Sequence, residues 1–235
     1  SGPWFCLAER NLPGSIIVNQ AGNRYANEAA PYVDAVHAMY DSAEATGVEH
    51  VPSWMIIDQR YRNRYLFAGL GPRQPFPGRW LKSGVIVKAG SLAGLAEKIG
   101  VPADALTDTV STFNGYARTG KDLDFGRGDS AYDRYYGDPR VTPNPSLGVI
   151  GEGPFYAVKV VPGDLGTKGG IVTDAKARAL RPDGSVIDGL YATGNVSSAV
   201  MGHTYAGAGA TIGPAITFGW IAANDIADST GADSR

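Results

Sequence analysis

Tyr205 and His203 are the two side chains with catalytic potential in a glycine-rich run. The run covers residues 194–220 and reads GNVSSAVMGHTYAGAGATIGPAITFGW. A tyrosine phenol can donate a hydrogen bond, or act as a base when its pKa of about 10 is lowered. Glycine has no Cβ atom, so the amides of this run can approach a ligand closely. The pattern indicates a ligand site, but the same glycines would suit a plain turn before a helix, with His203 fixing the loop.

A helix is predicted directly after this run, from about residue 211 to 228. The first N–H groups of a helix lack intrahelical partners, and its N-terminus carries a partial positive charge. An electron-rich or anionic group is therefore favoured at this position.

Other familiar sites are missing from the sequence. The three histidines, His37, His50 and His203, are scattered, and none lies at metal-ligand spacing from Cys6. The sequence has no Walker phosphate loop, no GxGxxG fingerprint and no GxSxG elbow. We therefore predict no metal site, and the absences exclude hydrolases with these motifs.

Composition limits the remaining functions. The 235 residues are 43% hydrophobic and 19% charged, enough for one large or two modest domains. Acids and bases are interspersed at a net charge of −2, which argues against a nucleic-acid partner. A single cysteine is typical of a reducing compartment, so we expect a cytoplasmic protein.

The elements that must position Tyr205 alternate between strands and helices, which predicts a mixed α+β or α/β fold. Asp183-Gly184 marks a hairpin shortly before the glycine-rich run. Ser91 and Gly100 bound one helix, and Pro102 opens the next. The predicted strands are 3–8, 15–19, 54–57, 85–87 and 155–161, and a further helix is predicted over 31–45.

Several long segments resemble bacterial 3-ketosteroid Δ1-dehydrogenases, FAD enzymes of the fumarate-reductase-like flavoprotein superfamily. They include GLYATGNVSSAVMGHTYAGAGATIGPAITFG, NRYANEAAPYVDAVHAMY, IIDQRYRNRYLFAGL and PGDLGTKGGIVTD. The resemblance extends over essentially the whole chain. It implies a catalytic domain over 1–165, inserted into a discontinuous Rossmann-like FAD domain whose C-terminal segment is 166–235.

The resemblance also implies that the N-terminal half of the FAD domain, which carries the GxGxxG unit, is not in this sequence. We expect the isolated chain to hold FAD weakly and to need that half as a partner. A non-catalytic fragment that binds the other half is the alternative from a different class.

The implied reaction introduces a double bond between C1 and C2 of a 3-ketosteroid. By resemblance, the Tyr205 hydroxyl and the Gly209 N–H hold the ketone oxygen as the enolate develops. A tyrosinate removes the C2 proton, and hydride passes from C1 to flavin N5. Tyr40, which follows the apolar helix face, is the favoured base, and Tyr32 is the close alternative.

The flavin contacts implied by the resemblance lie on either side of Tyr205. They are Gly194 and Asn195 after a strand, and the amides of Ala210, Thr211, Ile212 and Gly213 at the helix start. Ala206 and Ala208 replace two prolines of the family pattern TYPGPGAT, which predicts a less rigid loop.

Two matters stay open on the sequence alone. A related flavin dehydrogenase, acting at another steroid position or on another apolar enone, would use the same cofactor site. The electron acceptor is not indicated. A steroid substrate is compatible with peripheral membrane association, although the sequence shows no amphipathic anchor.

Overall fold

A computed structural model describes residues 3–231 of the chain. The chain divides into two compact units, Ser1–Gly163 and Asp164–Arg235. The division lies beside the expected boundary at residue 165, and each unit is described separately below.

A four-stranded antiparallel sheet forms the centre of the first unit. Its strands are β1 (Ser15–Val18), β2 (Ser53–Asp58), β3 (Ile86–Ala89) and β4 (Phe155–Val160). The strand order is β1-β2-β4-β3, so β2 and β4 are central. Ile56 of β2 pairs with Ile16 on one side and Ala157 on the other.

Strand β2 is buried along its whole length because both faces of the sheet are covered. Trp54 and Ile56 join a core with Leu106 and Phe113, whereas Met55 and Ile57 belong to a second core. Successive side chains of a strand point to opposite faces, so a strand buried on both sides needs a continuous apolar run. This explains the sequence Trp54-Met55-Ile56-Ile57.

The described residues of the first unit also form helices. They are α1 (Ala8–Asn11), α2 (Tyr32–Thr46), α3 (Gln59–Arg64), α4 (Gly78–Lys82), α5 (Leu92–Ile99), α6 (Ala103–Thr119) and α7 (Ala131–Tyr135). The Ser91 hydroxyl accepts a hydrogen bond from the Gly94 N–H at 3.1 Å, and Gly100 ends α5 in the left-handed conformation. The predicted helix over 91–100 is confirmed with both of its caps.

The second unit contains a hairpin and the terminal helix. Strands β5 (Arg178–Leu180) and β6 (Val186–Tyr191) pair antiparallel around the turn at Asp183-Gly184, as predicted. A short 3₁₀ turn follows at Gly194–Val196, and helix α8 covers Ile212–Ser229. The mixed α/β class is confirmed, and both sheets of the described residues are antiparallel.

One predicted strand is wrong. Residues 3–8 were expected to be extended, but among them the structure has loop and then the start of α1. Long-range hydrogen bonds hold this turn, because the Tyr61 hydroxyl donates to the Glu9 carbonyl at 2.6 Å and the Arg127 guanidinium donates to the Arg10 carbonyl at 3.2 Å. The apolar run Trp4–Leu7 favours a strand locally, and these tertiary contacts override it.

Candidate functional site

Gly194 lies beside the first turn of α8. It has a φ of +69°, and a Cβ added there would lie 3.4 Å from the Ala215 Cβ. The Thr193 hydroxyl donates to the Ala215 carbonyl at 2.9 Å, which ties the end of the β6 segment to α8. The structure therefore brings two parts of the predicted cofactor site together, namely Gly194 with its neighbour Asn195 and the helix start.

No side chain caps the N-terminus of α8. Thr211 occupies the N-cap position without a side-chain hydrogen bond. Pro214 in the first turn has no N–H to satisfy. In the described chain, the N–H groups of Thr211 and Ile212 make no hydrogen bond. These two donors, at the positive end of the helix, can bind an electron-rich ligand atom.

Two of the four amides predicted to contact the flavin make hydrogen bonds within their own loop. The Ala210 N–H donates to the Gly207 carbonyl at 3.1 Å, and the Gly213 N–H donates to the Gly209 carbonyl at 2.8 Å. The loop thus uses these two donors internally, because its tight turns bring each N–H onto a preceding carbonyl. Among the four amides predicted to contact the flavin, those of Thr211 and Ile212 make no hydrogen bond within the described residues.

Tyr205 and Gly209 lie in the loop between the two predicted flavin contacts. Tyr205 is half-buried, and Gly209 is exposed with a φ of +92°. The Gly209 N–H makes no hydrogen bond within the described residues, whereas its carbonyl is occupied by Gly213. The left-handed backbone at Gly209 is strained for any L-residue with a Cβ, which explains the glycine. His203 is an exposed residue of the same loop.

A segment that we call the strap, residues 167–171, lies along residues 195–199. The Ile171 N–H donates to the Val196 carbonyl at 2.9 Å, and the Ala199 N–H donates to the Lys168 carbonyl at 3.0 Å. The Thr167 hydroxyl donates to the Asn195 carbonyl at 2.8 Å. The strap therefore fixes the backbone on the side of Asn195 that leads to Tyr205.

Lys168 of the strap contacts the Tyr205 loop directly. Its ammonium donates to the Thr204 carbonyl and lies 5.8 Å from the centroid of the Tyr205 ring. Sequence reasoning missed this residue. Its only sequence signal is its place in the quoted segment PGDLGTKGGIVTD, between glycines that allow a close backbone approach.

The two candidate bases lie on α2, in the first unit. Tyr32 is the first residue of the helix, and no side chain caps this N-terminus. Its ring is half-buried and meets the Phe5 ring edge-on, with centroids 5.5 Å apart. Tyr40 is 54% exposed and lies about two turns further along. The two tyrosines therefore occupy different electrostatic positions on one helix.

A buried ionic cluster holds the chain just before Tyr32. The Arg10 guanidinium donates to the Glu28 carbonyl at 2.5 Å and to the Ala30 carbonyl at 2.7 Å. The Glu28 carboxylate pairs with Arg24 at 2.8 Å and with Arg127 at 3.1 Å. Burial alone would raise the pKa of Glu28, but the two guanidinium groups lower it below its ordinary value.

Among residues 3–231, no group of three or more His, Cys, Asp or Glu side chains could hold a metal ion. None of the helices in that range is long and apolar enough to cross a membrane.

Comparison with known proteins identifies the family. Residues 4–212 match the family described as FAD binding domain, which accounts for most of the chain. This chain belongs to the FAD binding domain family. FAD is the cofactor of this family, as the sequence predicted.

Relatives of this FAD binding domain chain carry related names. It is 64% identical to the 3-oxosteroid 1-dehydrogenase of Mycolicibacterium smegmatis, over 99% of this chain and 41% of that protein. It is 45% identical to the 4-oxocyclohexanecarboxylate 2-dehydrogenase of Sinomonas cyclohexanicum, over 93% of this chain and 38% of that protein. The chain thus spans about two fifths of the length of these relatives.

A solved structure matches as well. It is the 3-ketosteroid Δ1-dehydrogenase from Sterolibacterium denitrificans in complex with 1,4-androstadiene-3,17-dione. The TM-score is 0.90 at 48% identity, with 95% of this chain and 40% of that chain covered. The predicted similarity to 3-ketosteroid Δ1-dehydrogenases is confirmed.

The residues of the second unit fit an FAD group. Gly194 and Gly209 both have positive φ values, and α8 begins without a side-chain cap. Backbone donors without a competing carboxylate or hydroxyl suit the polar edge of a flavin ring, which accepts hydrogen bonds and becomes more electron-rich on reduction.

Proposed function

We propose that the full-length protein containing this chain introduces a C1=C2 double bond into 3-ketosteroids, with FAD as the hydride acceptor. The observation that carries the proposal is the loop of Tyr205 and Gly209. It offers a phenol and an unused amide N–H four positions apart, directly before the uncapped start of α8. The names of the relatives at 64% and 48% identity support the same reaction.

The chain's own contribution begins with the ketone oxygen. We assign the Tyr205 hydroxyl and the Gly209 N–H as its two hydrogen-bond donors. Withdrawal of the C2 proton puts negative charge on this oxygen, so donors aimed at it stabilise the enolate-like transition state more than the ground state. In this role the phenol acts only as a hydrogen-bond donor.

The base that takes the C2 proton is assigned to Tyr32 rather than to Tyr40. A phenolate is stabilised by the partial positive charge of a helix N-terminus, and this effect fades within the first turn. Tyr32 stands at that position on α2, whereas Tyr40 is exposed beyond it. This assignment reverses the preference drawn from the apolar pattern of the helix.

FAD would be held in the second unit by Gly194, Asn195 and the amides of Thr211 and Ile212. Bound FAD supplies the two-electron acceptor for the hydride that leaves C1. Under this proposal, Asp164–Arg235 is the C-terminal segment of a discontinuous Rossmann-like FAD domain, and Ser1–Gly163 is the catalytic domain. The remaining flavin contacts come from sequence outside this chain.

A second candidate substrate class is a cyclohexanone carboxylate. The relative at 45% identity is named for this chemistry, which also removes hydrogen beside a ring ketone. The same Tyr205 and Gly209 donors would serve either substrate. The 64% identity to a 3-oxosteroid 1-dehydrogenase makes the steroid the first choice.

The experiment compares both substrates on FAD-loaded full-length protein. The proposal predicts bleaching of the flavin absorbance by androst-4-ene-3,17-dione without oxygen, and formation of the 1,4-diene. It also predicts a kcat/KM at least about a hundredfold above that for 4-oxocyclohexanecarboxylate, since a steroid buries far more apolar surface. The reverse preference would favour the second candidate, and a flavin that neither substrate bleaches would contradict the proposed dehydrogenation.

A further inference from the structure

We propose that Lys168 is a positioning residue for Tyr205, one that braces the loop and polarises the phenol toward the substrate ketone. The inference rests on the proposed function, because it assigns a role to a residue that acts through Tyr205. It concerns the described residues of the second unit only.

The strap holds the Lys168 backbone in place. The Lys168 carbonyl accepts the Ala199 N–H at 3.0 Å, and the Ile171 N–H donates to Val196 at 2.9 Å. Gly170 makes this approach possible, since a Cβ there would lie 2.4 Å from the Val196 carbonyl oxygen. Lys168 therefore extends from a fixed backbone toward the loop.

Two contacts connect the Lys168 side chain to Tyr205. Its ammonium donates to the carbonyl of Thr204, the peptide group that leads into Tyr205. The same ammonium lies 5.8 Å from the Tyr205 ring centroid, within the range of about 6 Å for a cation–π interaction. One side chain thus fixes the backbone before Tyr205 and places a positive charge against its ring.

The loop needs such a brace because its own sequence does little to stiffen it. Ala206 and Ala208 leave the backbone on both sides of Gly207 without a proline ring. Within the loop, the Thr204 N–H donates to Met201 at 3.2 Å and the Ala210 N–H donates to Gly207 at 3.1 Å. Lys168 links Thr204 to the strap, outside these short turns.

The charge has a chemical consequence as well. A cation against the ring draws electron density from the phenol, so its O–H becomes a stronger donor to an oxygen that gains negative charge. The gain is larger in the transition state than in the ground state, so Lys168 should act on kcat more than on KM. No proton is transferred between Lys168 and Tyr205.

The test uses FAD-loaded full-length protein and androst-4-ene-3,17-dione. We expect Lys168→Met to lower kcat about tenfold with KM changed less than about threefold. Lys168→Arg, which keeps the charge and a donor, should restore most of the loss. Lys98→Met is the matched control, because the Lys98 ammonium also donates to a backbone carbonyl, that of Lys88 at 2.8 Å, but in the first unit.

Infrared difference spectra of bound 1,4-androstadiene-3,17-dione give a second readout. A polarised ketone vibrates at lower frequency. The band of the C3 ketone should therefore lie at lower frequency in the wild type and in Lys168→Arg than in Lys168→Met. Lys168→Gln keeps an N–H donor but lacks the charge. If Lys168→Met loses FAD, Lys168→Gln replaces it, and its C=O band should likewise lie above that of the wild type.

Unchanged kcat in Lys168→Met, or equal losses in the Met and Arg variants with an unshifted C=O band, would overturn the inference. Tyr205→Phe distinguishes failure of the Lys168 role from failure of the proposed ketone site. If Tyr205→Phe loses kcat and Lys168→Met does not, the role of Lys168 alone is wrong. If Tyr205→Phe keeps kcat, the proposed ketone site fails, and the role of Lys168 with it.

Discussion

Tyr32 and Tyr40 differ in where they lie on α2, and this difference bears on which of them can act as a base. Tyr32 and Tyr40 are two phenols on α2, and sequence pattern alone favoured Tyr40. The structure places Tyr32 at the uncapped N-terminus and leaves Tyr40 54% exposed. Because a helix N-terminus favours negative charge, we propose Tyr32 as the base.

Parallel Phe substitutions test this assignment. Exchange of the C2 proton with deuterated water, followed by NMR on androst-4-ene-3,17-dione, reports the base step alone. We expect Tyr32→Phe to slow this exchange by at least about a hundredfold, since the general base is lost. Tyr40→Phe should remain within about twofold of the wild type. Exchange lost in Tyr40→Phe and kept in Tyr32→Phe would reverse the assignment.

At the scale of elements, the strap and the 195–199 segment act as one pair of backbones. Gly170 is the point of closest approach in this pair, because its Cβ position lies 2.4 Å from the Val196 carbonyl oxygen. Neighbouring Gly169 has nothing within 4 Å of its Cβ position. Adjacent glycines therefore serve different purposes.

Gly170→Ala should move the strap away from residues 195–199. We expect weaker FAD retention in the full-length protein, by about tenfold or more in Kd, because relieving a steric clash with the backbone typically costs about 1–3 kcal/mol. Gly169→Ala is the control and should bind FAD as the wild type does. The measurement is the fluorescence of the flavin that the protein releases on dilution. Equal retention in both variants would show that the close approach has no bearing on the cofactor.

Local signals in the sequence predicted several elements correctly. The caps Ser91 and Gly100 and the turn at Asp183-Gly184 all have short-range causes, so α5 and the β5–β6 hairpin were predictable.

Contacts between distant residues were not predictable in this way. Thr167 and Asn195 are 28 residues apart, and Arg24 and Asp122 are 98 apart. No periodicity or cap links such pairs, so the strap, Lys168 and the ionic cluster emerged only from the fold. The hydrogen bonds of the Ala210 and Gly213 amides to carbonyls of their own loop were likewise not evident from the sequence.

At the scale of the whole molecule, the first unit depends on a buried ionic cluster. Glu28 and Asp122 both pair with Arg24, at 2.8 Å each, and Glu28 also pairs with Arg127. Burial would raise the pKa of both carboxyl groups, but the guanidinium groups lower both. Breaking one buried partner typically costs about 3–5 kcal/mol.

The pKa directions predict how stability depends on pH. A carboxyl whose pKa is lower in the folded state stabilises the fold above its ordinary pKa of about 4, and this stabilisation is lost as the pH falls through the folded value. Glu28→Gln should therefore be less stable than the wild type at pH 7, and the difference should shrink below about pH 4. Urea unfolding at pH 7 and below pH 4 measures the difference.

Glu152→Gln, which breaks the exposed pair with Arg60, is the control and should leave the urea midpoint unchanged. A difference for Glu28→Gln that stays constant with pH would contradict the charged role of this carboxylate.

If the Tyr205 hydroxyl holds the ketone oxygen, as we propose, Tyr205→Phe should lower kcat. The variant is made in the full-length protein, its FAD absorbance is recorded, and turnover of androst-4-ene-3,17-dione is measured at saturation. Loss of one such donor predicts a kcat lower by about a hundred- to a thousandfold, with FAD fully retained. Near-normal kcat at full FAD occupancy would show that Tyr205 does not hold the ketone oxygen.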